Sequence, residues 1–326
     1  MFKAIMIDKE DGRYSVEYTS LQDGDLPEGD VTVDVEWSTL NYKDGLALTG
    51  RGPVVRRFPM VPGIDFAGTV RESSHAEFKA GDKVVYTGFG LGETQWGGYS
   101  QRVRVSGDKT LHLPSGMTAR DAMAVGTAGF TAMLCVLALE RNGVAPESGE
   151  VLVSGATGGV GSIAVHLLAR RGYNVLASTG KASEHDYLQK LGASGIINRQ
   201  ELSAPGKPLG KERWAGAIDV VGGVTLANIC AGTAYGGAVA ACGLAESMDF
   251  PASVAPFILR GITLTGIDSG FCPMLLRKRA WDALRDELDM SMLADMVREV
   301  GMDDLVKVAP DILAGIVRGR IAVSMQ

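Results

Sequence analysis

The rhythm of apolar and polar positions changes twice along the chain. Up to about residue 120, short runs alternate at period two. Val31-Thr32-Val33-Asp34-Val35-Glu36-Trp37 puts every second side chain on one face, as a half-buried strand requires. Phe66-Ala67-Gly68-Thr69-Val70, Lys83-Val84-Val85-Tyr86 and Gln101-Arg102-Val103-Arg104-Val105 continue the series, with turn signals at Pro27-Glu28-Gly29-Asp30 and Ala80-Gly81-Asp82. Residues 119–139 then read as helix, in two segments broken near Gly126 and Gly129. From 150 to 267, six apolar runs alternate with helical stretches. They begin with Val151-Leu152-Val153 and Asn174-Val175-Leu176-Ala177-Ser178 and end with Thr263-Leu264-Thr265-Gly266-Ile267. Strands alternating with helices predict an α/β fold with a doubly wound parallel sheet. Helices near 280–288 and 309–318 follow, and a last run, Ile321-Ala322-Val323, is placed to return to the β-rich part. The expected organisation is 1–125, 126–267 and a returning segment 268–326.

Residues 151–161, Val-Leu-Val-Ser-Gly-Ala-Thr-Gly-Gly-Val-Gly, join the first of those six runs to a helical pattern. Gly155, Gly158 and Gly161 let backbone approach a pyrophosphate, and the helix start adds free N–H groups and a positive dipole end. The spacing is weak evidence alone and stronger between a strand and a helix. The next strand-like run ends in Ser178-Thr179-Gly180-Lys181, where an NAD site carries Asp or Glu against the ribose hydroxyls. Hydroxyls, a glycine and a cation suit a 2′-phosphate, and Arg199 after the third run supplies a second cation. The cofactor expected is NADPH.

Composition narrows the remaining classes. A chain of 326 residues, 46% hydrophobic and 21% charged, is long enough for two cores. A net charge of −6 argues against general affinity for nucleic acid or a membrane surface. No 18-residue apolar span and no signal peptide are read from the sequence, so the cytoplasm is the expected location. Cys135, Cys230, Cys242 and Cys272 are scattered, as are His75, His112, His166 and His185, without ligand spacing; no metal is expected.

The whole chain resembles the medium-chain dehydrogenase/reductase superfamily. Zinc-dependent members carry Cys and Gly-His-Glu where this chain reads Pro62-Gly63-Ile64-Asp65-Phe66-Ala67-Gly68, so it is similar to the zinc-free quinone oxidoreductase and enoyl reductase branch. Leu40-Asn41-Tyr42-Lys43-Asp44, Trp96-Gly97-Gly98-Tyr99, Gly126-Thr127-Ala128-Gly129-Phe130-Thr131-Ala132 and Ala241-Cys242-Gly243-Leu244-Ala245 resemble the acrylyl-CoA reductases.

The resemblance implies a GroES-like β-rich catalytic domain, a Rossmann cofactor domain and a homodimer. It implies reduction of the C=C bond of acrylyl-CoA to propionyl-CoA. It places the loop holding Asn41, Tyr42 and Asp44 beside the nicotinamide, with Tyr42 a candidate proton donor and Asp44 an orienting carboxylate. Ala156, Thr157, Gly158, Gly159 and Val160 would enclose the pyrophosphate. Ser178, Thr179, Gly180, Lys181 and Arg199 would meet the 2′-phosphate. Leu244, Ile258 and Ser269 would line the nicotinamide end, with Arg320 reaching the same cleft and Thr131 satisfied by its own helix. For the acyl-CoA thioester, Arg56 and Arg57, with Arg51, form one cationic cluster, preferred over Arg277, Lys278 and Arg279. Two other readings stay open: an NADPH:quinone or enone oxidoreductase, and a non-catalytic NADPH-binding protein of the crystallin or sensor kind.

Overall fold

The computed structural model describes residues 1–326. They divide into two compact units, Met1–Thr127 with Gly270–Gln326, and Ala128–Ser269.

In the first unit the alternating runs become a seven-stranded sheet. Its order is Val297–Gly301, Arg320–Ser324, Val31–Thr39, Asp65–Ser73, Lys83–Thr87 and Leu111–His112, with Arg102–Val105 also paired to Val31–Thr39. Val31, Val33 and Val35 are buried with Phe66, Val70, Val84 and Tyr86. The closing run pairs antiparallel with Val31–Thr39, Ala322 opposite Thr39, and so completes this unit's sheet. A separate hairpin joins Phe2–Glu10 to Arg13–Leu21.

The second unit is a six-stranded parallel sheet. Its order is Gly195–Asn198, Asn174–Thr179, Glu150–Val153, Trp214–Asp219, Thr233–Ala241 and Thr263–Gly266. The first strand in sequence, Glu150–Val153, lies at the centre. Strand order reverses between it and Trp214–Asp219, and in such sheets the carboxyl ends at that point form the ligand crevice.

Four expectations are corrected. Residues 41–44 are not a loop: Asn41 is the N-cap of the helix Tyr42–Thr49. The helix Ala119–Arg141 is long and apolar enough to cross a membrane by length and composition, although no such span was read from the sequence. Its apolar stretch is buried in the protein, and it is two helices across a kink at Gly126 (φ 50°, ψ −161°), with Gly129 helical. The helix expected at 280–288 is Met274–Glu287, so it takes in residues 277–279 and buries Arg277 at 1% exposure. The helix expected at 309–318 runs Leu305–Leu313 and stops before Gly315, which takes a left-handed φ of 68°.

Candidate active site

In the second unit the glycine turn is held by packing that excludes side chains. Gly158 caps the helix Gly159–Arg170. A Cβ on Gly161 would fall on the Gly155 carbonyl oxygen and lie 2.7 Å from Ala156 Cα, so helix and turn meet only through glycine. Gly155 adopts a left-handed φ of 54°. The first intrahelical bond runs from Ser162 N to Gly158 O at 2.9 Å, and the N–H groups before it in the first turn have no helical acceptor. Ala156 N and Gly158 N are used within the protein, by Ser178 O and Gly155 O, so Thr157, Gly159 and Val160 present the free backbone donors beside the helix's dipole end, the chemistry an anion needs.

Buried Asp219 braces this crevice and was not singled out from the sequence. Its carboxylate accepts from Ser154 Oγ at 2.6 Å and Gly222 N at 2.7 Å, and Ser154 Oγ accepts from Val220 N at 3.0 Å. Burial pushes its carboxyl above the ordinary range, against those hydrogen bonds. A lone acid inside the apolar run 217–221 was the available signal.

The adjoining strand ends bring five candidates together. Ser178 is buried and its carbonyl accepts from Ala156 N at 3.2 Å, so it supports the turn. Thr179 Oγ1 accepts from Lys181 N at 3.1 Å, and Arg199 N donates to Thr179 O at 3.1 Å. A Cβ on Gly180 would stand 2.6 Å from Arg199 Nε, so the arginine lies across the glycine. Leu244 and Ile258 are exposed, Ser269 is the last residue of this unit, and Thr131 is buried.

In the first unit a buried polar network surrounds Asn41. Its Nδ2 donates to Asp44 Oδ2 at 3.0 Å and to Asp65 Oδ2 at 2.9 Å, and its Oδ1 accepts from Arg320 Nη1 at 3.3 Å. Asp44 also accepts from Asn41 N at 2.9 Å and Ile64 N at 3.0 Å. Asp65 also accepts from Thr127 N at 2.8 Å and Thr127 Oγ1 at 2.5 Å. Arg320 donates further to Ala124 O at 3.0 Å and Thr39 Oγ1 at 2.7 Å. Gly126 must be glycine here, since a Cβ would lie 2.6 Å from Arg320 Nη2.

Burial, then the Asp65 charge, pushes the Asp44 carboxyl up to about 7, against the N–H groups of Asn41 and Ile64. Burial also raises Asp65, opposed by its bonds from Thr127 and Asn41. Arg320 is lowered by burial and held charged by Asp65 and Asp44.

This network lies beneath the start of the helix Tyr42–Thr49. Asn41, Asp44 and Arg320, 8%, 1% and 3% exposed, are tied into this network by the bonds given above. Asp44 holds its own segment through Asn41 N and Ile64 N, while Lys43 pairs with Glu93 at 2.9 Å. Tyr42, at the first helical position, reaches solvent at 41% exposure. Arg56 and Arg57 are exposed.

Residues 27–115 match the family model of the alcohol dehydrogenase GroES-like domain, and residues 159–286 that of the zinc-binding dehydrogenases. The residues present do not fit a zinc ion: no group of three His, Cys, Asp or Glu could hold a metal, and Asp44 and Asp65 are saturated by N–H and O–H donors. The chain is 49% identical over 323 residues to the probable acrylyl-CoA reductase AcuI of Escherichia coli (strain K12), covering 99% of each. The crystal structure of the yhdH oxidoreductase from Salmonella enterica in complex with NADP superposes with a TM-score of 0.97 at 50% identity, over 99% of this chain and 100% of that one. Bacillus subtilis yhfP with NAD bound gives 0.95 at 44% identity, over 99% of each. The chain belongs to the medium-chain dehydrogenase/reductase superfamily, in the family of the AcuI and YhdH acrylyl-CoA reductases.

Proposed function

We propose that the chain reduces the C=C bond of acrylyl-CoA to propionyl-CoA with NADPH. The observation that carries the reading is full-length likeness to an acrylyl-CoA reductase together with a glycine turn whose neighbouring strand ends in Thr179, Gly180 and Lys181 under Arg199. The free backbone N–H groups of the turn suit a pyrophosphate, and the two cations fit a 2′-phosphate dianion better than bare ribose hydroxyls. When bound, the reduced nicotinamide supplies a hydride for the β-carbon of the alkene. The thioester oxygen then gathers enolate charge and the α-carbon needs a proton.

On this reading Ala156, Thr157, Gly158, Gly159 and Val160 hold the pyrophosphate, and Leu244, Ile258 and Ser269 lie at the nicotinamide end. Tyr42 is the exposed hydroxyl that supplies the proton, and Asn41, Asp44 and Arg320 support the start of its helix from beneath. The Tyr42→Phe variant should lower kcat by roughly tenfold to a hundredfold with little change in KM for NADPH. Unchanged turnover would remove Tyr42 as the acid.

A second acceptor class is favoured by one finding: the Bacillus subtilis relative at 44% identity is named a putative quinone oxidoreductase. Loss of NADPH absorbance with acrylyl-CoA, with a quinone and with no acceptor decides between them. Rapid oxidation with acrylyl-CoA supports the first reading, and oxidation with the quinone alone overturns it. Binding without turnover in any arm would point to a non-enzymatic role.

The same reading includes a homodimer. Thr263–Gly266 is an edge strand of the parallel sheet, beside the helix Ala255–Arg260 with exposed Ile258 and Leu259, and a twofold mate would pair that edge. It also places the protein in the cytoplasm, where four cysteines outside any disulfide stay reduced.

A further inference from the structure

We infer that residues 51–58 recognise the adenosine 3′-phosphate 5′-diphosphate end of coenzyme A, so that the enzyme selects its thioester by the nucleotide as well as by the acyl group. This rests on the thioester reading above. The segment is pinned at several points. Val54 and Val55 are buried with Ile7, Ala47 and Met60. Arg51 N donates to Leu46 O at 3.1 Å and Arg56 N to Glu93 O at 2.8 Å. Met60 and Ile7 exchange both backbone bonds, at 2.8 and 2.7 Å. Between these pins Arg56, Arg57 and Phe58 stand exposed on a fixed backbone, which lowers the ordering cost of binding.

The side chains suit one ligand chemistry. Arg51, Arg56 and Arg57 form no ion pair, whereas Arg71, Arg102, Arg104 and Arg120 of the same unit each have a carboxylate partner. Three uncommitted guanidinium groups within seven residues, on a chain of net charge −6, make a local site for a ligand with several phosphate charges. Phe58 adds an aromatic ring, 37% exposed and set perpendicular to Tyr14 at 5.9 Å, for an adenine.

The segment also stands at a useful distance from the chemistry. It follows the helix Tyr42–Thr49 directly, and eight helical residues rise about 12 Å, a span a phosphopantetheine arm can bridge. Glu93 ties the two ends together, since its carbonyl holds Arg56 N and its carboxylate holds Lys43, next to Tyr42.

The test compares acrylyl-CoA with acrylyl-pantetheine, which lacks the nucleotide, in the wild type, an Arg56→Ala/Arg57→Ala double variant and Phe58→Ala. The wild type should prefer acrylyl-CoA, and the double variant should lose roughly tenfold or more of that preference in kcat/KM, Phe58→Ala less. Adenosine 3′,5′-bisphosphate should compete with acrylyl-CoA in the wild type and not in the double variant. Equal losses on both thioesters, or undiminished inhibition of the double variant, overturn the inference. A wild type that turns over neither thioester sinks the reductase reading itself, and this inference with it.

Discussion

Around Asn41 four charged or amide side chains satisfy one another inside the first unit, whereas around Gly158 the second unit offers unused backbone N–H groups and two cations at strand ends. The first arrangement is closed: each carboxylate has three donors and the arginine three acceptors. The second is open at its backbone, where the N–H groups of Thr157, Gly159 and Val160 can receive an anion. A closed network should show its worth in folding and an open one in binding, so substitutions in the two regions should separate on different measurements.

The largest effect is expected from Arg320→Met. It leaves Asp44 and Asp65 buried without their cation, and unfolding in urea should show a loss of about 3–5 kcal/mol. A loss below about 1 kcal/mol would mean that the carboxylates do not depend on the guanidinium, and the closed-network account would fail.

The pH dependence comes next. With its carboxyl raised to about 7 in the native protein, Asp44 holds a proton between about pH 4 and 7 that the unfolded chain has already released. Stability from this group is therefore present at low pH and declines as pH rises through that window, by at most about 1.4 kcal/mol per pH unit. Urea midpoints for Asp44→Asn should lack that component of the slope. Parallel profiles for variant and wild type would show that Asp44 stays ionised throughout.

The smallest and most selective effect belongs to the open site. Lys181→Ala with Arg199→Ala should raise KM for NADPH roughly tenfold and leave KM for NADH nearly unchanged. Stability should stay within about 0.5 kcal/mol, as at other surface positions. The relative crystallised with NAD gives this comparison its edge, because equal effects on both coenzymes would assign the cations to something other than a 2′-phosphate.

The contrast also governs what could be read before the structure. Gly155, Gly158 and Gly161 announce themselves because a backbone-built site needs particular residues at fixed local spacing, and the alternation at 31–37 announces a sheet for the same reason. The network around Asn41 draws on positions 39, 41, 44, 65, 127 and 320, and no local period connects them. Asp65 was visible only as an acid in the place of a zinc ligand. Arg277 read as one of three surface cations, yet it donates to Thr87 O at 2.9 Å and lies 4.4 Å from the Phe89 ring centroid. Helical phase within Met274–Glu287 decides which of three adjacent cations faces inward, and a helix expected only from residue 280 leaves them out. The setting of Tyr42 is hidden in the sequence because the bond from Asn41 N to Asp44 turns an apparent loop into a helix start.

The pairing of Arg320–Ser324 with Val31–Thr39 has a consequence for biosynthesis. The second unit is one uninterrupted segment, and all of it leaves the ribosome before the strand that finishes the first unit's sheet. Throughout that interval the Trp37–Thr39 end of the nascent strand, beyond the part paired with Arg102–Val105, has an unclaimed ladder beside it, a template for stray chains and an occasion for chaperones. Aggregation during synthesis should therefore be most sensitive to lesions in the last few residues, although they touch neither coenzyme nor acyl group.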